Sequence, residues 1–314
     1  MPSALANNVA ESIDEALWFG TDDPSHADSE ARASVAAEVA RISGLKPFPV
    51  VAAKVLQQMS DEGFSVPRVA ALVEQDPALA AMVIRLVNSA LYGRGKACRS
   101  VEQSIVRLGA DKVRQLVAGA ATMQMFAGLQ GIGVVFRDHC SATAAVVRVL
   151  GQEHNVPGHE DLFLAGLLHD VGKLLLLETR EFDYTAIDAT ALVRPGSVHG
   201  LERSKLGYDH AVLGAQVLRE WAIPDPIPQI VAWHHQPVRA YNEGGMMGAH
   251  VSLLRVADAI AWYLDHTQMP STRFIDHIAD GPDGTWVGLT GAQIESMWTR
   301  LVESRAEAMA IFKA

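Results

Sequence analysis

The chain has 314 residues, of which 49% are hydrophobic and 20% charged, so we expect a folded protein with a substantial core rather than a disordered one. Its formal net charge of −10 argues against a general nucleic-acid-binding surface, because neutralising phosphates requires a basic face. No stretch is long and apolar enough for a membrane span, the N-terminus has no signal-peptide pattern, and the two cysteines imply no disulfide framework. We therefore expect a cytoplasmic protein that does not bind membranes.

Helical patterns fill the first part of the chain. Residues 28–42 are rich in alanine and place their larger aliphatic side chains on one face, as an amphipathic helix does. Further helices are predicted over residues 50–59, 66–74, 77–88, 101–108 and 111–126. No segment of this part alternates between apolar and polar residues in the way that a strand requires.

A glycine-rich joint at residues 128–133 separates this part from a second helical part. Helices are predicted there over residues 136–154, 161–177, 178–188, 189–203, 209–221, 226–235, 250–266 and 291–312. Glycines 244, 245 and 248 are read as a turn, and residues 267–290, with their prolines and glycines, as a loop. The pattern as a whole predicts an all-α, multi-helical protein.

One predicted helix carries charges where none are expected. The segment from Leu162 to Leu177 is almost entirely apolar, so it should be buried, yet its centre contains His169, Asp170 and Lys173. Each buried ion lowers the stability of a fold by roughly several kcal/mol unless it is paired, hydrogen-bonded or bound to a metal ion. Other residues of the chain must therefore satisfy these three.

Histidines and aspartates elsewhere in the second part are candidates for that role. Imidazole and carboxylate groups are the usual ligands of divalent iron, manganese, nickel and zinc. Lys173 lies one turn after His169, where it would pair with Asp170 or steady a phosphate. The candidate metal ligands are His139, His169, Asp170, His210, His234, His235 and Asp258.

Each candidate also has a purely structural explanation. His139 would serve as a hydrogen-bonded core residue, Asp170 as the partner of Lys173, and Asp258 as an ordinary polar position of a helix. His210 follows a capping aspartate and would then face solvent, and the adjacent His-His pair would suit a helix C-terminus. Their joint occurrence favours convergence on one pocket, with or without a metal ion.

These residues resemble a known arrangement. His139, the His169-Asp170 pair and Asp258 resemble the metal motif of the HD phosphohydrolase superfamily, and the remaining histidines resemble the extended set of its dinuclear cyclic-di-GMP phosphodiesterase branch. A finer resemblance is to HDOD domain proteins, over roughly residues 42–260. It rests on residues 45–49, 76–79, 85–92, 104–109, Gly166-Leu-Leu-His-Asp-Val-Gly-Lys173, 202–210, 221–224 and Trp233-His-His-Gln-Pro237.

The resemblance implies an all-helical fold in which an N-terminal helical half packs on an HD-like half. The division expected is an N-terminal extension (1–40), the N-terminal half (41–130), the HD-like half (131–264) and a C-terminal helical extension (265–314). The resemblance also implies one or two divalent metal ions (Fe, Mn, Ni or Zn) held by the candidate ligands. A bacterial signal-transduction role with signalling proteins as partners follows from it as well, whereas no oligomeric state does.

Two departures bear on activity. The Gly-Tyr-Pro signature of the cyclic-di-GMP phosphodiesterases does not follow the His-Asp pair, and Val135 stands where that branch has a metal-binding Glu. HDOD domains are generally regarded as having lost phosphohydrolase activity, so we favour a regulatory protein that binds metal without turnover. The alternative is an active phosphohydrolase on a nucleotide or cyclic dinucleotide. Asp170 or Asp258 would then orient the attacking hydroxide, and Lys173 or another cation would steady the phosphate. A helical scaffold with a buried polar network is a third, weaker reading.

Overall fold

A computed structural model describes residues 29–45, 47–59, 63–92, 95–267 and 269–313 of the protein, and within these ranges every regular element is a helix. The predicted all-α class is confirmed. Of the predicted N-terminal extension, residues 1–28 lie outside the described residues. None of the helices in the described ranges combines the length and the apolar character that crossing a lipid bilayer requires.

The first part of the chain forms its helices where the sequence predicts them. They are α1 (Ser29–Leu45), α2 (Val50–Met59), α3 (Val66–Val73), α4 (Pro77–Asn88), α5 (Val101–Leu108) and α6 (Ala110–Met125), with a 3-10 turn at Ala90–Tyr92. Asp76 caps α4 by accepting a hydrogen bond from the backbone N–H of Leu79, and Ser100 caps α5 in the same way. Gly109 joins α5 to α6 with a φ of 85°, which favours glycine.

The second part is built around one long helix. Its elements are α7 (Ile132–Glu153), α8 (Leu162–Leu168), α9 (Val171–Thr179), α10 (Ala189–Leu192), α11 (His199–Leu206), α12 (His210–Glu220), α13 (Ile227–Trp233), α14 (Pro237–Glu243), α15 (Gly245–His266), α16 (Thr272–Ala279), α17 (Pro282–Val287) and α18 (Gly291–Lys313), with a 3-10 turn at Tyr184–Ala186. Helices α8, α15 and α18 all pack against α7, and α12 packs against α9 and α13. Consequently α7 is buried along most of its length.

Contacts across the glycine-rich joint hold the two parts together. Helix α6 packs against α8, and α1 packs against α12. At the other end of the chain, α18 lies along α7, so the described portions of both predicted extensions rest on the helical core. The division of the chain at residues 40, 130 and 264 stays a prediction.

The predicted helix over residues 161–177 is wrong in one respect, because it is two helices. Helix α8 ends before His169, and α9 begins after Asp170, whose φ of −103° and ψ of 14° leave the helical region. Adjacent residues on an unbroken helix point about 100° apart. The break gives the two side chains more freedom of direction than an unbroken helix allows.

The predicted helices over residues 178–188 and 189–203 are also wrong. Arg180 ends α9 in the left-handed conformation, with a φ of 60°. Between Arg180 and residue 188 the regular structure is the 3-10 turn at Tyr184–Ala186. The second segment is interrupted at Pro195-Gly196, which separates α10 from α11, because proline lacks the N–H that a helix interior requires.

Two predicted irregular segments are helical instead. Helix α15 begins at Gly245, so Gly248 lies within it, and a Cβ at Gly248 would stand 2.7 Å from the indole nitrogen of Trp286. There glycine allows close packing rather than a turn. Helices α14, α16 and α17 were also missed, since prolines and glycines in and beside them were taken as signs of a loop. Pro237 and Pro282 instead occupy the first turns of α14 and α17, where proline is tolerated.

We predict that Gly172→Ala lowers the free energy of unfolding by about 2–3 kcal/mol, the upper part of the usual cost of overpacking. A Cβ at Gly172 would lie 2.0 Å from the carbonyl oxygen of His210, so the backbones of α9 and α12 would have to separate. Urea unfolding followed by circular dichroism measures the change.

The matched control is Gly200→Ala in α11, where a Cβ meets no atom within 4 Å. Alanine should stabilise that exposed helical position by about 0.5–1 kcal/mol. Equal stability of the Gly172→Ala variant and the wild type would contradict the close approach of α9 and α12.

Candidate metal centre

The structure brings all seven predicted ligands together, although they come from widely separated parts of the chain. Six are buried and His235 is half-buried. They are His139 on α7, His169 and Asp170 between α8 and α9, His210 at the start of α12, His234 and His235 after α13, and Asp258 on α15. Their ligand atoms form two neighbouring groups.

The first group consists of His139, His169 and Asp258, whose ligand atoms lie within 4.8 Å of one another. Nε2 of His139 is 2.9 Å from Oδ1 of Asp258, and Nε2 of His169 is 4.0 Å from the same oxygen. Two imidazoles and a carboxylate at this spacing form a set that could hold a divalent ion.

The second group consists of Asp170, His210, His234 and His235, with the same limit of 4.8 Å between ligand atoms. Oδ1 of Asp170 is 3.1 Å from Nε2 of His210 and 3.8 Å from Nε2 of His234. Nε2 of His235 lies 2.9 Å from Nε2 of His210. The donor set again suits a divalent ion of the first transition row or zinc.

The adjacent residues His169 and Asp170 belong to different groups. Nε2 of His169 is 3.5 Å from Oδ2 of Asp170, so the groups meet at this pair. The ring of His169 also lies 5.4 Å, centroid to centroid, from the rings of both His139 and His234. The break between α8 and α9 therefore lies where the two groups join.

Two of the histidines have one nitrogen fixed by the backbone and the other directed to the site. Nδ1 of His169 donates to the carbonyl of Gly166 at 2.8 Å, and Nδ1 of His234 donates to the carbonyl of Val231 at 2.6 Å. Their Nε2 atoms are buried and find no hydrogen-bond partner among the described residues. A buried imidazole held in this tautomer presents a lone pair, which is the state that a metal ligand requires.

His210 has a carboxylate partner instead. Its Nδ1 lies 2.5 Å from Oε2 of Glu202, which also accepts from the backbone N–H of His210, while the hydroxyl of Tyr184 donates to Oε1. Burial alone lowers the pKa of His210, but the Glu202 carboxylate outweighs it, and the pKa is raised to about 9. Without a bound metal, His210 is therefore a cation between the carboxylates of Glu202 and Asp170.

Sequence reasoning assigned no role to Glu202. The residue is fully buried, and burial would raise its pKa, yet His210 and the Tyr184 hydroxyl keep the pKa below its usual value. The sequence gives one sign of a role for Glu202, which is that the residue begins segment 202–210, one of those that resemble HDOD proteins. His199, stacked on His235 with ring centroids 4.4 Å apart, was missed in the same way.

Lys173 pairs with Asp170, one of the two roles that the sequence left open for it. Its Nζ is 2.7 Å from Oδ2 of Asp170 and 3.3 Å from the carbonyl of Leu192, and the side chain is buried. Burial opposes both charges, but His169 and Lys173 hold the pKa of Asp170 well below its usual value, and Asp170 raises the pKa of Lys173. The pair is thus ionised in spite of its burial.

The other histidines of the second group are neutral bases. Burial, and then the neighbouring histidines, lower the pKa of His234 and of His235 well below the ordinary value.

The structural explanation that placed His210 in solvent is wrong, because that side chain is fully buried. Its predecessor Asp209 does cap α12, accepting from the backbone N–H of Val212.

A cavity of about 270 Å³ reaches the two groups from outside. Its lining includes His235 of the second group and Asp258 of the first, together with Arg255 and His277. The Arg255 guanidinium donates to the carbonyl of His234 at 2.5 Å and pairs with Asp283 of α17 at 2.9 Å. A small ligand in this cavity would touch both groups and a cation.

Comparison with known proteins places the chain in a family. A model of the HDOD domain matches residues 45–237, a range that contains six of the seven candidate ligands and ends before Asp258. An uncharacterized protein of Treponema pallidum (strain Nichols) is 22% identical over 217 residues, which are 67% of this chain and 41% of that protein. The chain therefore spans less than half of the length of that relative.

Solved structures share the fold. An HDOD domain protein of unknown function from Geobacter sulfurreducens is 19% identical, with a TM-score of 0.64 over 90% of this chain and 99% of the other. A candidate metal-dependent phosphohydrolase from Shewanella amazonensis SB2B is 18% identical, with a TM-score of 0.61 over 91% and 100%. At these identities the likeness concerns the fold alone. Because the HDOD model matches more than half of this chain, the chain belongs to the HDOD domain family.

Proposed function

We propose that this protein is a regulatory HDOD protein of bacterial signal transduction whose pocket binds one or two divalent metal ions without hydrolysing a phosphate ester. The observation that supports metal binding best is the pair of buried Nε2 atoms of His169 and His234, which have no partner among the described residues and face the other candidate ligands. Leaving such groups unsatisfied costs about 1–3 kcal/mol each. A bound cation would remove that cost.

The donor sets fit the proposed ion. His139, His169 and Asp258 would hold one ion, and Asp170 with His210, His234 and His235 would hold a second. Nitrogen and oxygen donors of this kind suit Fe, Mn, Ni or Zn. The Shewanella relative, a candidate metal-dependent phosphohydrolase of the same fold, supports the same expectation.

The engagement of Lys173 argues against turnover. Its ammonium group is buried and bonded to Asp170 and to the carbonyl of Leu192, so it is not directed at a phosphate in the cavity. Lys173 thus holds Oδ2 of Asp170, and Oδ1 is the oxygen that lies near His210 and His234. Together with Val135 in place of a ligating Glu, these contacts favour binding over hydrolysis.

The cavity favours a second candidate function, a metal-dependent phosphohydrolase acting on a nucleotide or cyclic dinucleotide. Arg255 and His277 stand beside His235 and Asp258 in its lining, which is a suitable environment for a phosphate. A bound divalent ion would supply a hydroxide at neutral pH. In that case Asp170 and Asp258 would orient the hydroxide, and Arg255 would neutralise charge on the phosphate.

Protein purified without chelator should contain a divalent metal, and the double variant His169→Ala, Asp170→Ala should contain almost none, because it removes a ligand from each group. Elemental analysis by mass spectrometry measures the content. His266→Ala is the control, since this histidine is exposed, belongs to neither group, and bonds through Nδ1 to the carbonyl of Trp262 on its own helix. Both metal-dependent functions would be contradicted if the wild type contained no metal and if chelator left its melting temperature unchanged.

Turnover separates the two candidates. With manganese or iron, the wild type should release no more product from bis-para-nitrophenyl phosphate or from cyclic dinucleotides than the double variant does. Hydrolysis by the wild type that the double variant has lost would instead establish the phosphohydrolase. Activity that survives in the double variant would come from another site or a contaminant.

Metal binding to the second group should release a proton near neutral pH. His210 is protonated there, because its pKa is about 9, and the ion requires its neutral form. Affinity should therefore rise with pH until that value is reached. Calorimetry in two buffers of different ionisation enthalpy counts the protons.

The matched variant is Glu202→Gln. It keeps the shape of the side chain but removes the charge that raises the pKa of His210, so fewer protons should be released near neutral pH. Equal proton release by the variant and the wild type would contradict the role of Glu202 in keeping His210 protonated. No proton release by the wild type would show that the ion does not bind His210.

A further inference from the structure

His139 differs from His169, His234 and His210 on its outward side. His169, His234 and His210 each place Nδ1 within 2.8 Å of a carbonyl or carboxylate oxygen. Nδ1 of His139 is buried and has no hydrogen-bond partner among the described residues. Oδ2 of Asp265 stands 4.0 Å from this nitrogen.

Two carboxylates of one helix flank this imidazole. Asp258 and Asp265 are seven residues apart, two turns along α15, and so lie on the same face of it. Asp258 contacts Nε2 of His139 at 2.9 Å, and Asp265 faces Nδ1 on the opposite edge of the ring. The side chain of His139 is 1% exposed and that of Asp265 is 28% exposed, so Asp265 lies on the outer side of the ring.

Asp265 is held by the last helix of the chain. Its other oxygen, Oδ1, accepts a hydrogen bond from Nη2 of Arg305 on α18, and the Arg305 side chain is 16% exposed. This contact leaves Oδ2 of Asp265 facing His139. Helix α18 also packs along α7, the helix that carries His139.

The separation of 4.0 Å has a physical explanation. A neutral His139 that donates through Nε2 to Asp258 has a lone pair on Nδ1, and a lone pair does not attract a carboxylate oxygen. With a cation on Nε2, the proton of the neutral ring is on Nδ1, and the same carboxylate becomes its acceptor. Ligating histidines almost always have such an outer partner, which orients the ring and raises its basicity.

From this geometry we infer that Asp265 is the positioning residue of His139, accepting its Nδ1–H when Nε2 binds a divalent ion, and that Arg305 keeps Asp265 in place. Helix α18 thereby supports the first metal group. Both residues lie beyond the stretch that the HDOD model matches, and neither is among the ligands predicted from the sequence. The inference rests on the proposed binding of a divalent ion.

The inference predicts a selective effect. Of the two groups, Asp265 borders the first, through His139, so its loss should weaken the group of His139, His169 and Asp258. The second group, of Asp170, His210, His234 and His235, should be unchanged. The loss of an outer partner typically lowers metal affinity by about 10- to 100-fold. A general destabilisation of the fold would weaken both groups.

The experiment titrates the full chain, stripped of metal, with Co²⁺ and follows the visible absorption of the bound ion. Asp265→Leu should bind the first group at least about tenfold more weakly. Asp265→Glu should restore much of the affinity, and Asp265→Asn should fall between them because its amide oxygen still accepts. Arg305→Gln should weaken binding less than Asp265→Leu does.

The matched control is Arg300→Gln, on the same helix. Arg300 pairs with Glu153 and donates to Gln152, both at the end of α7 and outside the two candidate metal groups. It should bind Co²⁺ as the wild type does. Selective ¹⁵N labelling of histidine gives a second readout, since the His139 signal should change from the Nε2–H to the Nδ1–H form on loading with diamagnetic Zn²⁺.

Several outcomes would overturn the inference. Wild-type affinity in Asp265→Leu would do so while leaving the proposed metal site intact. Losses of equal size in Arg300→Gln and Arg305→Gln would show that α18 acts by packing alone. A wild-type chain that takes up no Co²⁺ would overturn the proposed metal site and this inference together.

Discussion

The structure depends on placing the neutral His169 and the ionised pair of Asp170 and Lys173 inside a layer of leucines. The chain achieves this by breaking the helix between α8 and α9 and by placing a glycine on either side of the break. A Cβ at Gly166 would stand 2.8 Å from the Cα of Ala144 on α7, and one at Gly172 would stand 2.0 Å from the carbonyl oxygen of His210 on α12. The two glycines thus admit the helices that carry His139 and His210, and the break directs His169 and Asp170 to different groups.

Electrostatics explains how these charges tolerate burial. Lys173, Asp170, His210 and Glu202 follow one another in space with alternating sign, each within 3.1 Å of the next. The row is neutral in total, and each member has an opposite charge beside it, which is the condition under which buried ions are tolerated. A divalent ion in the second group would take the place of the His210 proton. The polar network and the proposed metal site would therefore be two states of the same residues rather than competing explanations.

Periodicity predicted the helical class, and residue chemistry predicted the seven converging residues. Helical periods and pairs such as His169-Asp170 are visible in short stretches of the sequence. The break at His169-Asp170 was not predictable from the apolar run, since a buried helix and two buried helices have the same composition. Glu202 and Asp265 were missed for another reason. Each acts through a histidine that lies far away in sequence, and only the packing of α11 and α15 brings the partners together. Outer partners of this kind leave no spacing that a sequence can show.

The C-terminal part of the chain completes the pocket. The stretch that matches the HDOD model supplies six candidate ligands, but α15 supplies the seventh, Asp258, and also Arg255, whose guanidinium holds the carbonyl of His234. One helix beyond the matched stretch therefore contacts both groups, through a ligand in the first and through the backbone of the second. On the proposed regulatory function, a partner that displaced α15 or α18 would alter the pocket without entering it. Conversely, an ion that fixed His139 and Asp258 would stabilise the position of α15, and such reciprocity is what links a binding pocket to a protein surface.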